Sequence, residues 1–311
     1  MKNVIVTGAT GFIGQRFIKQ LLQAGHSVHA LHNKPVTQLL FTETKPYPIN
    51  WHQIDLFDQV RVDALVEKIK ADTLVHFAWY AEAGKFWQSD LNLDWLAASS
   101  LLLKSFVRSG GRYFLGAGSC AEYDWSTPGV MQEESTAIIP ATLYGTSKSA
   151  FSQIAQQYCK QSQVGFAWGR IFWLYGPGED ESRLVAYVIK NLLAGKEANL
   201  SAGAQKRDFM HVDDVSQAFA GIAEVEAQGF FNIGSGQAIS VKSLCELIGE
   251  ILDKKDLLKF ASKESLNNEA DCIYADISKL IASTNFQPRI DLQPGLKKTV
   301  DWWKNKKNAS V

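Results

Sequence analysis

Short runs with an apolar centre alternate along this chain with longer stretches in which apolar residues recur every three or four positions. Residues 2–7 form a run of the first kind and predict a buried strand. Residues 12–24 belong to the second kind: Phe17, Ile18, Leu21 and Leu22 share one face, and Gly25 stands where a glycine usually closes a helix. The pattern continues with a strand over 27–31, a helix over 60–70, a third core strand over 73–78, a long apolar helix over 93–109 that stops at Gly110-Gly111, and a strand over 112–118. Pro140 precedes a further predicted helix over 142–161. Strand and helix alternate throughout this half, which predicts an α/β fold built on a doubly wound parallel sheet.

After Arg170 the alternation becomes irregular. Tyr175-Gly-Pro-Gly178 reads as a turn, residues 184–194 and 241–252 as helices, and Pro288 and Pro294 bracket a linker before a last helix carrying Trp302 and Trp303. Two regions are therefore expected. The first covers 1–170, with returning segments near 207–233 because 230–233 reads as a strand. The second, a smaller C-terminal α/β lobe over 171–311, would close over a cleft.

An apolar fraction of 46% in 311 residues is enough for a full core. Lys and Arg total 32 and so do Asp and Glu, which removes any case for attraction to nucleic acid or to anionic lipid. Cys120, Cys159, Cys245 and Cys272 have no metal-ligand spacing and read as free thiols of a reducing compartment. Neither a signal peptide nor an apolar run approaching about 18 residues is seen. A cytoplasmic protein without metal or membrane partner is the expectation, and we expect a homodimer.

The first strand leads into Thr7-Gly-Ala-Thr-Gly-Phe-Ile-Gly14. Gly8, Gly11 and Gly14 between a strand and a helix allow a tight turn, admit a pyrophosphate to the backbone N–H groups, and let helix pack on strand. This predicts a Rossmann-like site for a dinucleotide held by Thr7, Gly8, Thr10, Gly11, Phe12, Ile13 and Gly14. Phe77 and Ala78, at the end of the third core strand, join the set, as do Asp55 and Leu56 after a short strand. Cofactor choice is read at the end of the second strand, where a carboxylate would meet the ribose 2′-hydroxyl of NAD. His32-Asn33-Lys34 stands there instead, and Glu43 is the first acid. The reading is NADP (NADPH) over NAD.

Tyr144 and Lys148 are one helical turn apart and share a face. An ammonium beside a phenol would lower the tyrosine pKa and let it exchange a proton near neutrality. Ser119 ends an apolar strand, where parallel sheets bind ligands, and its hydroxyl can hold a substrate oxygen. Ser119, Tyr144 and Lys148 are the candidate catalytic trio.

With these motifs the chain resembles the extended short-chain dehydrogenases/reductases, in the group of sugar-nucleotide epimerases, dehydratases and 4-ketoreductases. The resemblance spans nearly the whole length. It rests on residues 7–14, Ser119, Tyr144-x-x-x-Lys148, Arg170, Tyr175-Gly-Pro177 and Arg207-Asp-Phe-Met-His-Val-Asp213. It implies that Lys148 also binds the nicotinamide ribose, that Asn92 is a structural or proton-relay position, and that Arg207 faces the diphosphate of a nucleotide-sugar substrate. Ser119, Cys120, Arg183 and Arg207 form the implied substrate set. Departures narrow the group. Dehydratases carry acids just after the serine or threonine, where this chain has Cys120-Ala121. The 3,5-epimerase/reductases carry a cysteine at the place of Ala121 and a histidine at that of Arg183. Trp173 replaces an asparagine common among epimerases, and Asn267-Asn268-Glu269-Ala270-Asp271 stands where R-P-G-D often holds the diphosphate. Trp79, Trp87 and Trp125 lie near the site loops as pocket walls or core residues. The expected function is NAD(P)H-dependent reduction of a nucleotide-activated 4-keto-(6-deoxy)sugar. The alternatives are an NAD-dependent C4 epimerase and, from another class, a non-catalytic NADP-binding sensor or scaffold.

Overall fold

The computed structural model describes residues 2–33, 49–262 and 270–308. The first half runs β1 (Asn3–Thr7), α1 (Gly14–Gln23), β2 (Ser27–His32), β3 (Ile49–Gln53), α2 (Gln59–Ile69), β4 (Thr73–His76), α3 (Leu91–Arg108), β5 (Tyr113–Ser119), β6 (Gly129–Met131), α4 (Leu143–Gln161) and β7 (Gly165–Ile171). The second half runs β8 (Trp173–Tyr175), α5 (Leu184–Leu193), β9 (Ala198–Leu200), β10 (Lys206–Arg207), β11 (Phe209–His211), α6 (Val212–Val225), β12 (Gly229–Ile233), β13 (Ile239–Ser240), α7 (Val241–Leu252), β14 (Leu258–Phe260), β15 (Cys272–Ala275), α8 (Ser278–Thr284) and α9 (Leu292–Asn308).

Seven strands form one sheet in the order β12-β7-β5-β4-β1-β2-β3, and every pairing in it is parallel. Side chains on a strand point alternately to opposite faces, so β1 feeds two cores at once. Val4 and Val6 pack with Phe17, Leu21, Phe219 and Ile222 of α1 and α6. Ile5, between them, packs with Val62, Leu102, Phe106 and Phe151 of α2, α3 and α4. This is the Rossmann-like, doubly wound sheet that the alternating pattern predicts. β12 is its outer strand beside β7, although some 60 residues of the second half separate the two in sequence.

The rest of the second half packs α5, α7 and α9 around Tyr175, Val188, Leu192, Leu244, Ile248 and Trp303. Its strands are two to four residues long and make three small sheets: β13-β10-β15-β6, β11-β8 and β14-β9. β6 comes from the loop between β5 and α4, and so ties that loop to the smaller sheet. Among the described residues no helix is long and apolar enough to cross a membrane.

Candidate functional site

The C-terminal ends of β1, β4 and β5 open onto one edge of the main sheet, the edge where parallel α/β sheets bind ligands. The glycine loop crosses this edge. Gly8 has φ +63°, and a Cβ there would lie 2.8 Å from the Ala78 nitrogen; a Cβ on Gly14 would lie 2.2 Å from the Gly8 carbonyl oxygen. Glycine is required at both. The loop closes with Gly11 N–H donating to the Gly8 carbonyl at 2.9 Å, and the Thr10 carbonyl accepts from Gln15 at 2.7 Å. α1 begins without a side-chain cap after Ile13; Gln15 N–H donates to the Gly11 carbonyl at 3.3 Å and Arg16 and Phe17 N–H to the Ile13 carbonyl at 3.1 and 3.0 Å, while the positive end of the helix dipole points at the loop. These features fit a dinucleotide pyrophosphate. Phe12 is half-buried beneath the Arg16 guanidinium, 5.1 Å from its ring centre.

Several of the expected cofactor residues do other work. The Thr7 hydroxyl is turned inward: it pairs with His76 Nδ1 at 2.8 Å and accepts from Ala78 N–H at 3.3 Å. Burial pushes His76 down to about 3, so it is neutral, and its Nε2 meets Ser99 Oγ at 2.9 Å. The Phe77 ring packs edge-on against Phe17 and Phe219. Leu56 is in the core, and the exposed Asp55 accepts from Phe57 N–H at 3.0 Å as a turn aspartate does. His32 is buried, with its ring edge-on to Trp51 at 5.5 Å; Asn33 is exposed. Lys34 lies outside the described residues.

The candidate trio converges. Ser119 ends β5, and its hydroxyl is near enough to the Tyr144 phenol to favour loss of the phenol proton. Tyr144 is set by the start of α4, where the Thr142 hydroxyl accepts from Gly145 N–H at 3.1 Å. Phe86 and Trp87 pack edge-on against the phenol ring, at 4.7 and 5.8 Å between centres. Lys148 follows one turn later and is 2% exposed.

The electrostatics differ from the sequence expectation. Burial raises the Tyr144 phenol well above its ordinary value; Glu122 and Cys120 push the same way, while Ser119 and Arg183 oppose. Lys148 is not among the groups acting on it. The ammonium donates instead to the Ala117 carbonyl at 2.7 Å and sits 4.1 Å over the Trp79 ring, and burial drags it down to about 7. The expected lowering of the tyrosine by its lysine neighbour is not found: the ammonium rests on Ala117 and Trp79, and desolvation sets the direction at Tyr144.

The loop of residues 77–90 closes one side of the site. Asn92 is fully buried and gives its amide N–H groups to the carbonyls of Phe86 and Ser89 at 2.7 and 2.8 Å, while its oxygen accepts from Trp79 Nε1 at 3.0 Å. Its role is therefore to fix Trp79 and Phe86. Arg183 lies over the Phe86 ring at 5.2 Å and donates to the Ala81 carbonyl at 2.9 Å.

On the opposite side, Arg207 is buried. It donates to the carbonyls of Lys206 and Ala270 at 2.8 and 2.7 Å, and lies 5.1 Å from the Trp173 ring. Trp173 in turn packs on Trp125, whose Nε1 donates to the Cys120 carbonyl at 2.9 Å. Cys120 is buried, its thiol pushed up by desolvation and pulled back by the Arg207 charge. The other charges of the Arg207 motif hold structure. Asp208 accepts from Ser235, Gly236 and Ala275 N–H at 2.7, 3.0 and 3.1 Å, and Asp213 pairs with Arg16 and Lys298.

One residue escaped the sequence reading altogether. Glu122, three positions after Ser119, is fully buried and ion-paired with Arg170 at 3.0 Å. Ser119-Cys-Ala-Glu122 is the S-x-x-E capping pattern, and that signal could have found it.

With this geometry in place, the chain can be set beside known proteins. The sequence model described as the NAD dependent epimerase/dehydratase family matches residues 4–234. A UDP-glucuronate 4-epimerase of Thermodesulfobacterium geofontis is 26% identical, over 96% of this chain and 95% of that one. MoeE5 in complex with UDP-glucuronic acid and NAD superposes with a TM-score of 0.83 at 25% identity, covering 98% and 99% of the two chains. The dTDP-glucose 4,6-dehydratase of Streptomyces venezuelae, with NAD bound, gives a TM-score of 0.86 at 22% identity, covering 98% of each.

Proposed function

The chain belongs to the NAD dependent epimerase/dehydratase family, one of the extended short-chain dehydrogenases/reductases, and from that premise we propose that it reduces a nucleotide-activated 4-keto-(6-deoxy)sugar at C4. The observation that carries this reading is the meeting of Ser119 and the half-buried Tyr144 phenol at the end of β5, with a buried Cys120 and Ala121 where a dehydrating acid would stand. A protonated phenol at that point can give its proton to a carbonyl oxygen as hydride reaches the carbon. A bound nicotinamide would supply the hydride. Ser119 would hold the ketone oxygen, Tyr144 would protonate it, and Lys148 would meet the ribose of the cofactor. Arg207 would meet the diphosphate with a charge-assisted hydrogen bond, against the wall made by Trp173 and Trp125.

The two positions next to Ser119 lack the bases that other chemistries would use there, and the nearby Glu122 is committed to Arg170. Cys120 is buried with a raised thiol, and Ala121 offers no acid, which speaks against elimination of water. A second reading, C4 epimerisation, draws support from the UDP-glucuronate 4-epimerase relative. For the cofactor we propose NADPH, because no carboxylate stands at His32-Asn33-Lys34; the NAD of the solved relatives favours NAD.

The test is a crossed assay of NADPH and NADH with UDP-, dTDP-, CDP- and GDP-linked 4-keto-6-deoxysugars. Stoichiometric oxidation of the reduced cofactor supports the reductase. Interconversion of C4 epimers without net oxidation, on an NAD that copurifies with the protein, would replace it with the epimerase. No reaction with any of them would leave a cofactor-binding sensor or scaffold.

A further inference from the structure

The candidate trio stands on a carboxylate that the proposed reaction does not itself use. Glu122 closes the short turn after β5, and its partners fix it from the inside. Oε1 accepts the Ser119 N–H at 2.8 Å and Trp168 Nε1 at 2.9 Å; Oε2 accepts Trp168 Nε1 at 3.2 Å and Arg170 Nε at 3.0 Å. The Ser119 hydroxyl answers by accepting from Ala121 N–H at 3.2 Å. Arg170 donates onward to the Tyr123 hydroxyl at 3.1 Å and lies over the Tyr123 and Phe230 rings. Tyr123 donates to Asn232 at 2.7 Å, and Asn232 donates to the Met131 carbonyl on β6 at 2.8 Å. One buried polar chain thus runs from Ser119 to the smaller sheet.

A turn cap alone does not call for this. Capping needs only a carboxylate or amide at the surface, whereas burying an ion pair carries a desolvation cost for both charges. The strand also makes room for it. A Cβ on Gly118 would lie 2.4 Å from Glu122 Oε1 and 2.1 Å from Trp168 Nε1. The carboxylate and its indole therefore fill the space in which a side chain on the last turn of β5 would stand.

The groups facing the site complete the picture. Tyr144 is met by Ser119, Cys120 and Glu122 from the β5 end and by Arg183 from the segment before α5. Glu122 and Cys120 oppose loss of its proton, and Ser119 and Arg183 favour it. Lys148 has the neutral His76 within range and Glu122 favouring its ammonium.

We propose that Glu122 is a positioning residue for the hydride-transfer site: it clamps the backbone of Ser119 and holds a fixed negative charge behind Ser119 and Tyr144, so that Tyr144 remains a proton donor and the site is set for reducing a carbonyl. The proposal rests on the reductase reading. It assigns Glu122 no contact with substrate. Its effect passes through the Ser119 N–H and through its charge.

The test compares wild type with Glu122→Gln and Glu122→Asp. The pH profile of kcat for ketosugar reduction, taken with saturating cofactor, should fall on its alkaline side where the Tyr144–Lys148 pair loses a proton, and Glu122 opposes that loss at both members. In Glu122→Gln, which keeps the acceptor for Ser119 but removes the charge, that limb should move about one pH unit lower, the shift expected for deleting one nearby charge at an effective dielectric of about 20. Glu122→Asp keeps the charge but shortens the arm to Ser119. Its limb should stay in place while kcat falls about tenfold through misplacement of the serine. The KM for cofactor should hold in both. A merely structural glutamate would lower the melting temperature of Glu122→Gln and leave the limb unmoved. Should that variant fail to fold with Arg170 unpaired, the double variant Glu122→Gln/Arg170→Gln leaves no uncompensated buried charge and should show the same shift. A limb that stays in place in whichever of these folds overturns the proposal.

Failure of the reductase reading would look different, because the wild type would then show no ketone reduction at all. The ultraviolet titration of tyrosinate, run with saturating oxidised cofactor and corrected with Tyr144→Phe, needs no substrate. It should show the same downward shift in Glu122→Gln, and an unchanged Tyr144 titration would again overturn the role assigned to Glu122.

Discussion

Replacing Lys148 with methionine should make the cofactor-free protein more stable while destroying its activity. The ammonium is nearly sealed from water, with one hydrogen bond to the Ala117 carbonyl at 2.7 Å and the Trp79 ring at 4.1 Å, and its pKa falls from 10.5 to about 7. The unfolded chain carries an ordinary lysine near 10.4. Between about pH 7 and about pH 10 the unfolded state therefore holds a proton that the folded state has released, and stability rises with pH through that window. Below about pH 7 both states are protonated and the folded protein bears the whole cost. At about 1.4 kcal/mol per pH unit, the shift corresponds to a ceiling of roughly 5 kcal/mol. Methionine matches the chain length and removes the charge, but forfeits the bond to Ala117, so the expected gain at about pH 6 is about 3 kcal/mol. Urea unfolding of wild type and Lys148→Met, from about pH 6 to about pH 9, measures it as a difference in which most other titrating groups cancel. The gain should shrink above about pH 7 by up to about 1.4 kcal/mol per unit. A variant less stable than wild type at about pH 6, or a gap that does not change with pH, would refute the reasoning.

Three further outcomes are expected. Arg207→Ala should raise KM for a sugar nucleotide about a hundredfold, since one side of a buried charged contact is lost, and should change KM little for a simple ketone without a diphosphate; equal losses on both would make Arg207 structural. Gly118→Ala should destabilise by about 1–3 kcal/mol, because its Cβ must displace Trp168 or Glu122, and a melting temperature unchanged from wild type would show that the packing there is loose. NADPH should bind more tightly than NADH in a direct titration, whereas equal dissociation constants would leave the segment after β2 without a part in cofactor choice.

The sequence reading reached furthest where a local pattern has a single physical use. Gly8 and Gly14 could be read because the loop has no room for a Cβ at either place, and Tyr144 and Lys148 because one helical turn brings them to the same face. The small sheets were not foreseen, since strands of two to four residues are too short to display a period. Side-chain direction was less legible still. Thr7, Phe77 and Leu56 fall at the expected places, but their side chains turn to His76, to Phe17 and into the core, as backbone position alone could not foretell. The partner of Lys148 was missed for a related reason. Helical spacing gives proximity to Tyr144, whereas burial and the Trp79 ring decide where the ammonium rests. Glu122 is not legible from Ser119 and the residues next to it. Its importance depends on Trp168 and Arg170, which stand 46 and 48 positions further along the chain.

The central claim is hydride transfer to C4 with Tyr144 as the proton donor, and transfer of isotope tests it most directly. The protein would be given a 4-keto-6-deoxysugar nucleotide and reduced cofactor carrying deuterium at the transferable position of its nicotinamide, and the product examined by mass spectrometry and NMR. The account predicts one deuterium at C4 of the product sugar for each cofactor oxidised, with the rate reduced at least about a hundredfold in Tyr144→Phe. Label that stays on the cofactor, or a Tyr144→Phe variant that transfers it as fast as wild type, would contradict the account.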